Sequence, residues 1–166
     1  IARGAFKKEI VPVEVPQKKG ASVLVSDDEE PNRVDLTKLR QRKPVFQDDG
    51  VLTVGNSPSC NDGAAALVIM GEEEAARLGL APMARIVGYA GAALAPEWFT
   101  VAPVEAIRRL LKQTGLSIGD IDLFEINEAF SAVSLAINRE LGLDPKKVNV
   151  NGGAVALGHP IGATGA

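Results

Sequence analysis

The only histidine of the chain lies in a glycine-rich segment near its C-terminal end, VNVNGGAVALGHPIGATGA (residues 148–166). Its glycines permit sharp turns and close approach of the backbone to a ligand, and Pro160 favours an extended backbone at His159. Near neutral pH an imidazole can act as a general base or as a hydrogen-bond donor. A lone histidine more often only satisfies a buried hydrogen bond, but the glycine setting favours a functional role for His159.

A second candidate is the NEAF segment (residues 127–130), which follows a predicted strand at 120–126 and begins a predicted helix at 127–141. A short apolar strand at 148–150 leads into the glycine-rich segment in the same way. Because ligands bind at strand ends in open α/β sheets, we expect the two segments to meet at one site. Two interpretations of Asn127 remain open: its amide either caps the helix or orients a water or a substrate carbonyl.

The elements that must position these residues alternate along the sequence between predicted strands and predicted helices. Helix 72–78 ends at Gly79, helix 103–113 ends at Gly115, and Glu128 is favoured by the dipole of the helix that it would begin. From Ala64 onward the order predicts a layered α/β domain. A polar connector at 16–50 divides the chain into predicted domains 1–50 and 51–166. The other predicted strands are 9–15, 64–70 (buried and central) and 85–90.

Composition excludes several classes of protein. The chain of 166 residues has a net charge of −3 and 4% aromatic residues, which argues against nucleic-acid partners. No apolar run is long enough for a membrane span, and no metal-ligand cluster is recognised. The single cysteine, Cys60, excludes an internal disulfide and indicates a reducing compartment, the cytoplasm or an organelle matrix.

The two ends suggest an internal part of a longer protein. Ile1 is not an initiator methionine, and the sequence up to Ala166 has the character of a helix start. We therefore expect further segments on both sides.

Together, the NEAF and glycine-rich segments resemble the thiolase family. Further similar stretches are GNSPSCNDGAAALVIM (55–70) and RGAFKKEIVPVEV (3–15), so the resemblance covers essentially the whole chain. FEINEAF, ARIVGYA and DEEPNRVDLTKLR are most similar to acetoacetyl-CoA thiolases, also called acetyl-CoA acetyltransferases, with 3-ketoacyl-CoA thiolases as the neighbouring group. The resemblance implies a thiolase-like layered fold, a mixed sheet with helices, of which the chain contains the end of one half and an incomplete C-terminal domain.

The resemblance also implies the chemistry, a reversible thioester Claisen condensation. His159 would take the proton of a nucleophilic cysteine and then bind a thioester oxyanion, together with a water held by Asn127. Ala129 and Phe130 would line the pantetheine channel. Ser57 and Ser59 would contact coenzyme A around Pro58, where family members commonly have serine.

Acyl-CoA and CoA are the implied small-molecule partners, with no cofactor and no metal. The family forms dimers or tetramers, so a homo-oligomer is expected. The nucleophilic cysteine of the family and its second cysteine would lie outside residues 1–166, so the chain alone is expected to be inactive. At the position of Cys60 the family usually has an ordinary residue, which predicts a structural or incidental role.

Two alternatives differ in class. In the first alternative, the chain is a catalytically incomplete CoA-binding or assembly module that has no nucleophile. In the second alternative, the chain is a nucleotide-binding domain, although GHPIGATG does not match the GxGxxG pattern of such domains.

Overall fold

The computed structural model describes residues 1–165, which form two compact units, one of residues 1–41 and one that begins at Arg42. The helix start predicted at Ala166 lies outside the described residues. The domain division at Gly50 stays a prediction.

The first unit contains a two-stranded antiparallel sheet. Strands β1 (Val13–Val15) and β2 (Val23–Val25) pair with Glu14 opposite Leu24. The predicted strand 9–15 is thus formed only after Pro12, which has no N–H to donate to a ladder. Two short helices follow, α1 (Glu30–Arg33) and α2 (Leu36–Leu39).

The regular elements that the structure describes in the second unit are helices and 3₁₀ turns. Its helices are α3 (Glu72–Arg77), α4 (Ala102–Thr114), α5 (Ser131–Leu141) and α6 (Ala154–Leu157), with 3₁₀ turns at Pro96–Val101, Ile118–Asp120 and Pro145–Lys147. The structure confirms the helices predicted at 72–78 and 103–113. Gly115 ends α4 with a φ of 72°, which glycine adopts without strain. Within residues 1–165, no helix is long and apolar enough to cross a bilayer.

The core of this unit lies between α4 and α5. Ile137 is fully buried, and Phe124, Ile126 and Val148 from two of the predicted strands pack against the buried cluster. This apolar contact fixes the backbone that leads into the NEAF segment on one side and into the glycine-rich segment on the other. The buried cluster consists of Val104, Val133, Ile137 and Leu143.

The strands predicted in the second unit are not formed as regular strands in the described residues: 120–126 and 148–150 contribute only isolated bridges, and 64–70 and 85–90 contribute none. Residues 64–70 and 85–90 have no regular secondary structure, and the segment predicted to be buried and central is exposed, with Val68 at 89%. A strand requires hydrogen bonds to a neighbour, and within the described residues nothing pairs with either segment. Their apolar sequences therefore predict burial that residues 1–165 do not supply.

Candidate functional site

The two candidate segments lie side by side because the backbone stretches that lead into them are joined by hydrogen bonds. Phe124 and Val148 form an isolated parallel bridge. The backbone N–H of Phe124 donates to Lys147 O (2.8 Å), and that of Asn149 donates to Phe124 O (2.9 Å). The meeting of the two segments expected from the sequence is therefore present.

Asn149 continues this pairing with its side chain. Its Oδ1 accepts a hydrogen bond from the backbone N–H of Ile126 (2.8 Å), and its Nδ2 donates to Ile126 O (2.9 Å). The amide thus replaces a neighbouring peptide group immediately before Asn127. Asn149 has a φ of 45°, a left-handed conformation that asparagine tolerates better than most residues.

Glu128 connects the two segments a second time. Its Oε2 accepts a hydrogen bond from Val155 N (3.0 Å) in the first turn of α6, where the helix dipole favours a carboxylate. A Cβ at Gly153 would lie 2.6 Å from the same oxygen, so only glycine permits this approach. Glu128 therefore has a structural role at α6, whereas the sequence predicts one at the helix that begins in the NEAF segment.

Asn127 does not cap a helix. Helix α5 begins only at Ser131, after an extended Phe130 with a φ of −147° and without a side-chain cap. Both backbone groups of Ile126 are hydrogen-bonded to the Asn149 side chain and not to a helix, and Ser131 N donates to Asn56 O (3.0 Å) from another segment. Of the two interpretations of Asn127, the capping one is wrong, and its amide is free for another partner.

That partner is the imidazole of His159. Asn127 Nδ2 lies 3.3 Å from His159 Nε2, and His159 Nδ1 lies 2.9 Å from Thr164 Oγ1. The imidazole is half-buried, whereas the Asn127 side chain is exposed. The structure therefore brings together the two side chains predicted to be catalytic and presents them at the surface of the second unit.

The backbone of His159 is held by the segment that contains the predicted CoA-binding serines. His159 N donates to Ser59 O (3.0 Å), and His159 forms a parallel bridge with Cys60. Gly158 has a φ of 100°, and a Cβ there would collide with Asn61 Oδ1. Cys60 is exposed. The extended backbone expected at His159 is confirmed.

The hydroxyl protons of both serines are used within the chain. Ser57 Oγ donates to Thr53 O (2.9 Å), and Ser59 Oγ donates to Asn61 Oδ1 (2.8 Å). Each serine oxygen can still accept a hydrogen bond, but neither can donate one without losing an internal partner. A ligand at these serines would therefore have to donate.

The apolar residues of the NEAF segment lie between the core and the surface. Ala129 and Phe130 are half-buried and pack against the buried cluster. The ring of Phe46 meets that of Phe130 edge to face, with centroids 5.7 Å apart, and Phe46 remains 68% exposed. Sequence analysis missed Phe46, although an aromatic residue within the polar connector was the available signal.

A small open cavity of about 300 Å³ lies behind the paired segments. It is lined by Glu128, Asn149 and residues of α5, and not by His159 or Asn127. Among residues 1–165, no group of three or more His, Cys, Asp or Glu residues is placed to hold a metal ion.

Two families match the sequence, “Thiolase, N-terminal domain” over residues 1–73 and “Thiolase, C-terminal domain” over residues 80–166. The acetyl-CoA acetyltransferase of Yarrowia lipolytica is 55% identical over 165 residues, which are 99% of this chain and 41% of that protein.

Solved structures are also similar over 99% of this chain and 42% of theirs. Acat5 thiolase from Ascaris suum in complex with coenzyme A has a TM-score of 0.90 at 48% identity. Human mitochondrial 3-ketoacyl-CoA thiolase has a TM-score of 0.85 at 41% identity. The chain thus spans less than half the length of these relatives, and the likeness confirms the fold class predicted from its sequence.

Proposed function

The chain belongs to the thiolase family, and we propose that it supplies part of the active site of an acetyl-CoA acetyltransferase. The reaction joins two acetyl-CoA molecules into acetoacetyl-CoA and free CoA, and its reverse is thiolysis of a 3-ketoacyl-CoA. The observation that supports this proposal is the pairing of His159 Nε2 with the Asn127 amide (3.3 Å) where two motif segments meet.

His159 acts as the base in the proposed first step. A cysteine outside residues 1–166 transfers its thiol proton to Nε2, and its sulfur attacks the thioester carbonyl of acetyl-CoA. The CoA sulfur then leaves and takes the proton back from Nε2. A thiol requires such a partner because only the thiolate is a good nucleophile, and its normal pKa lies above neutrality.

Asn127 and the protonated His159 together stabilise the oxyanion of the tetrahedral intermediate. Once Nε2 carries a proton, it and the Asn127 amide both present N–H donors to the same space. An oxyanion, bound to Nε2–H directly and to Asn127 through a water, satisfies both groups. A preorganised donor of this kind contributes on the order of 3 kcal/mol to the lowering of an activation barrier.

We propose that CoA binds along the surface formed by Ser57, Ser59, Ala129 and Phe130. Because the serine hydroxyl protons are already donated within the chain, the serines would accept hydrogen bonds from the pantetheine amide N–H groups. Pro58 can neither donate nor accept through a side chain. Phe130 and Phe46 supply apolar surface for the pantetheine arm.

Acetoacetyl-CoA is the preferred substrate in this proposal. The acetyl-CoA acetyltransferase relative is 55% identical to the chain, whereas the 3-ketoacyl-CoA thiolase is 41% identical. The protein requires no cofactor beyond the CoA thioester, forms a dimer or tetramer, and works in a reducing compartment such as the cytoplasm or an organelle matrix.

The test is a hybrid enzyme in which this chain replaces the matching segment of the Yarrowia lipolytica relative. With acetoacetyl-CoA and free CoA, we expect turnover, measured as loss of the enolate absorbance. A folded hybrid without turnover would contradict the proposal. A smaller hybrid that receives only residues 124–164 tests the same segments if the first hybrid does not fold.

Cys60 is not the nucleophile in this proposal, although its backbone pairs with that of His159. We expect the 166-residue chain, incubated with acetyl-CoA, to retain no acetyl group by intact-mass measurement. The matched control is Cys60→Ser. An acetyl group that is present on the chain and absent from the control would assign the nucleophile to Cys60 and overturn the expectation. The alternative of a nonenzymatic CoA-binding module predicts the same mass but no turnover by the hybrid.

A further inference from the structure

Thr164 makes the second hydrogen bond of the histidine side chain. Its Oγ1 lies 2.9 Å from His159 Nδ1 and 3.0 Å from the carbonyl oxygen of Pro160. We propose that Thr164 is a positioning residue that fixes the proton of the neutral imidazole on Nδ1 and leaves the lone pair on Nε2.

The direction of these hydrogen bonds follows from the donor inventory. A carbonyl oxygen only accepts, so we assign the single hydroxyl proton of Thr164 to its hydrogen bond with Pro160 O (3.0 Å). Towards the imidazole, Oγ1 can then only accept. In this assignment Nδ1 carries the proton and donates it to Oγ1 (2.9 Å).

The contact at Nε2, on the other side of the imidazole ring, is consistent with a proton on Nδ1. Neutral imidazole with its proton on Nδ1 has an acceptor at Nε2, and the neighbour there is the Asn127 amide nitrogen, which only donates. The opposite orientation of the Asn127 amide would require a proton on Nε2. With the hydroxyl proton on its bond to Pro160 O, that tautomer would leave two acceptors, Nδ1 and the Thr164 oxygen, facing each other.

The hydroxyl is held in place by the turn that follows His159. Ala163 N (2.8 Å) and Thr164 N (3.0 Å) both donate to Pro160 O, which is the acceptor that the hydroxyl also uses. A threonine four residues after that carbonyl can return its hydroxyl to it as part of a helical turn. The turn, the hydroxyl and the imidazole thus form one connected unit.

The consequence for chemistry rests on the proposed function. An Nε2 lone pair beside Asn127 can take the thiol proton, whereas an Nε2 that already carries the proton cannot. Loss of the Thr164 hydroxyl should therefore reduce the fraction of competent enzyme and lower kcat, while KM for acetoacetyl-CoA stays the same.

The lone histidine makes a direct test possible. Labelling of histidine with the NMR-active isotope of nitrogen gives signals from one imidazole only. The nitrogen chemical shifts of its neutral form distinguish the two tautomers. We expect the wild-type chain to show the proton on Nδ1, Thr164→Val to shift the population towards Nε2, and Thr164→Ser to retain the wild-type spectrum. A wild-type chain with its proton on Nε2, or a Thr164→Val spectrum that matches wild type, would overturn the proposal.

The hybrid enzyme gives a second, independent readout. There Thr164→Val should lower kcat about tenfold and Thr164→Ser should restore it, as for other groups that orient a histidine. The spectra do not depend on turnover. A correct tautomer in a hybrid that has no activity would reject the proposed function alone, whereas full activity of Thr164→Val would reject the positioning role alone.

Discussion

Replacing His159 by alanine should lower kcat of the hybrid enzyme for acetoacetyl-CoA thiolysis about a thousandfold, because general-base catalysis and an oxyanion donor are lost together. KM should change little, since the imidazole is assigned no role in binding the remote parts of CoA. The measurement is loss of the enolate absorbance at saturating substrate, with circular dichroism as the check on folding.

The matched control for this variant is Gln113→Ala, which truncates an exposed side chain on α4 away from both segments. We expect it to retain wild-type kcat. A His159→Ala hybrid that is as active as this control would remove the histidine from the mechanism.

Asn149→Ala should have the second-largest effect, through structure. It removes both hydrogen bonds to the backbone of Ile126 and the contact with Glu128 Oε1 (3.4 Å), and leaves a φ of 45° to a residue that tolerates it poorly. Leaving two half-buried backbone groups without partners is expected to cost about 2 kcal/mol of the free energy of unfolding. Because Asn127 follows Ile126 directly, kcat should fall as well.

Urea unfolding and turnover of the hybrid measure the two effects. The matched control is Asn151→Ala, an exposed asparagine two residues further along the same segment, which should leave both quantities unchanged. Asn149→Asp separates the hydrogen bonds from each other. It keeps the acceptor for Ile126 N but places a carboxylate oxygen near Ile126 O and Glu128. Equal stability of Asn149→Ala and Asn151→Ala would show that the side-chain pairing does not hold the site together.

Helices were predicted well from the sequence because their signals are local. The period of apolar residues and the closing glycines place α3 and α4 correctly, since a helix satisfies its own backbone hydrogen bonds. The segments 64–70 and 85–90 show the opposite case. Their apolar sequences indicate strands, but a strand forms only against a partner, and residues 1–165 contain none for them.

The residues of the candidate site were predicted from motifs, whereas their connections were not. The sequence indicates that Asn127 and His159 act together, and the structure places them 3.3 Å apart. The bonds of Asn149 with Ile126 span 23 positions, and no periodicity reveals such a contact. The same holds for Glu128, whose position suggests a role at the helix that follows it but whose carboxylate binds α6 instead.

In the proposed mechanism, His159 and Asn127 face the reacting thioester. A crystal structure of the hybrid enzyme with acetyl-CoA tests it most directly. We predict that the thioester oxygen lies within hydrogen-bond distance, about 3 Å, of His159 Nε2 and of a water held by Asn127. A bound acetyl-CoA whose thioester oxygen contacts neither His159 nor that water would contradict the proposed oxyanion site.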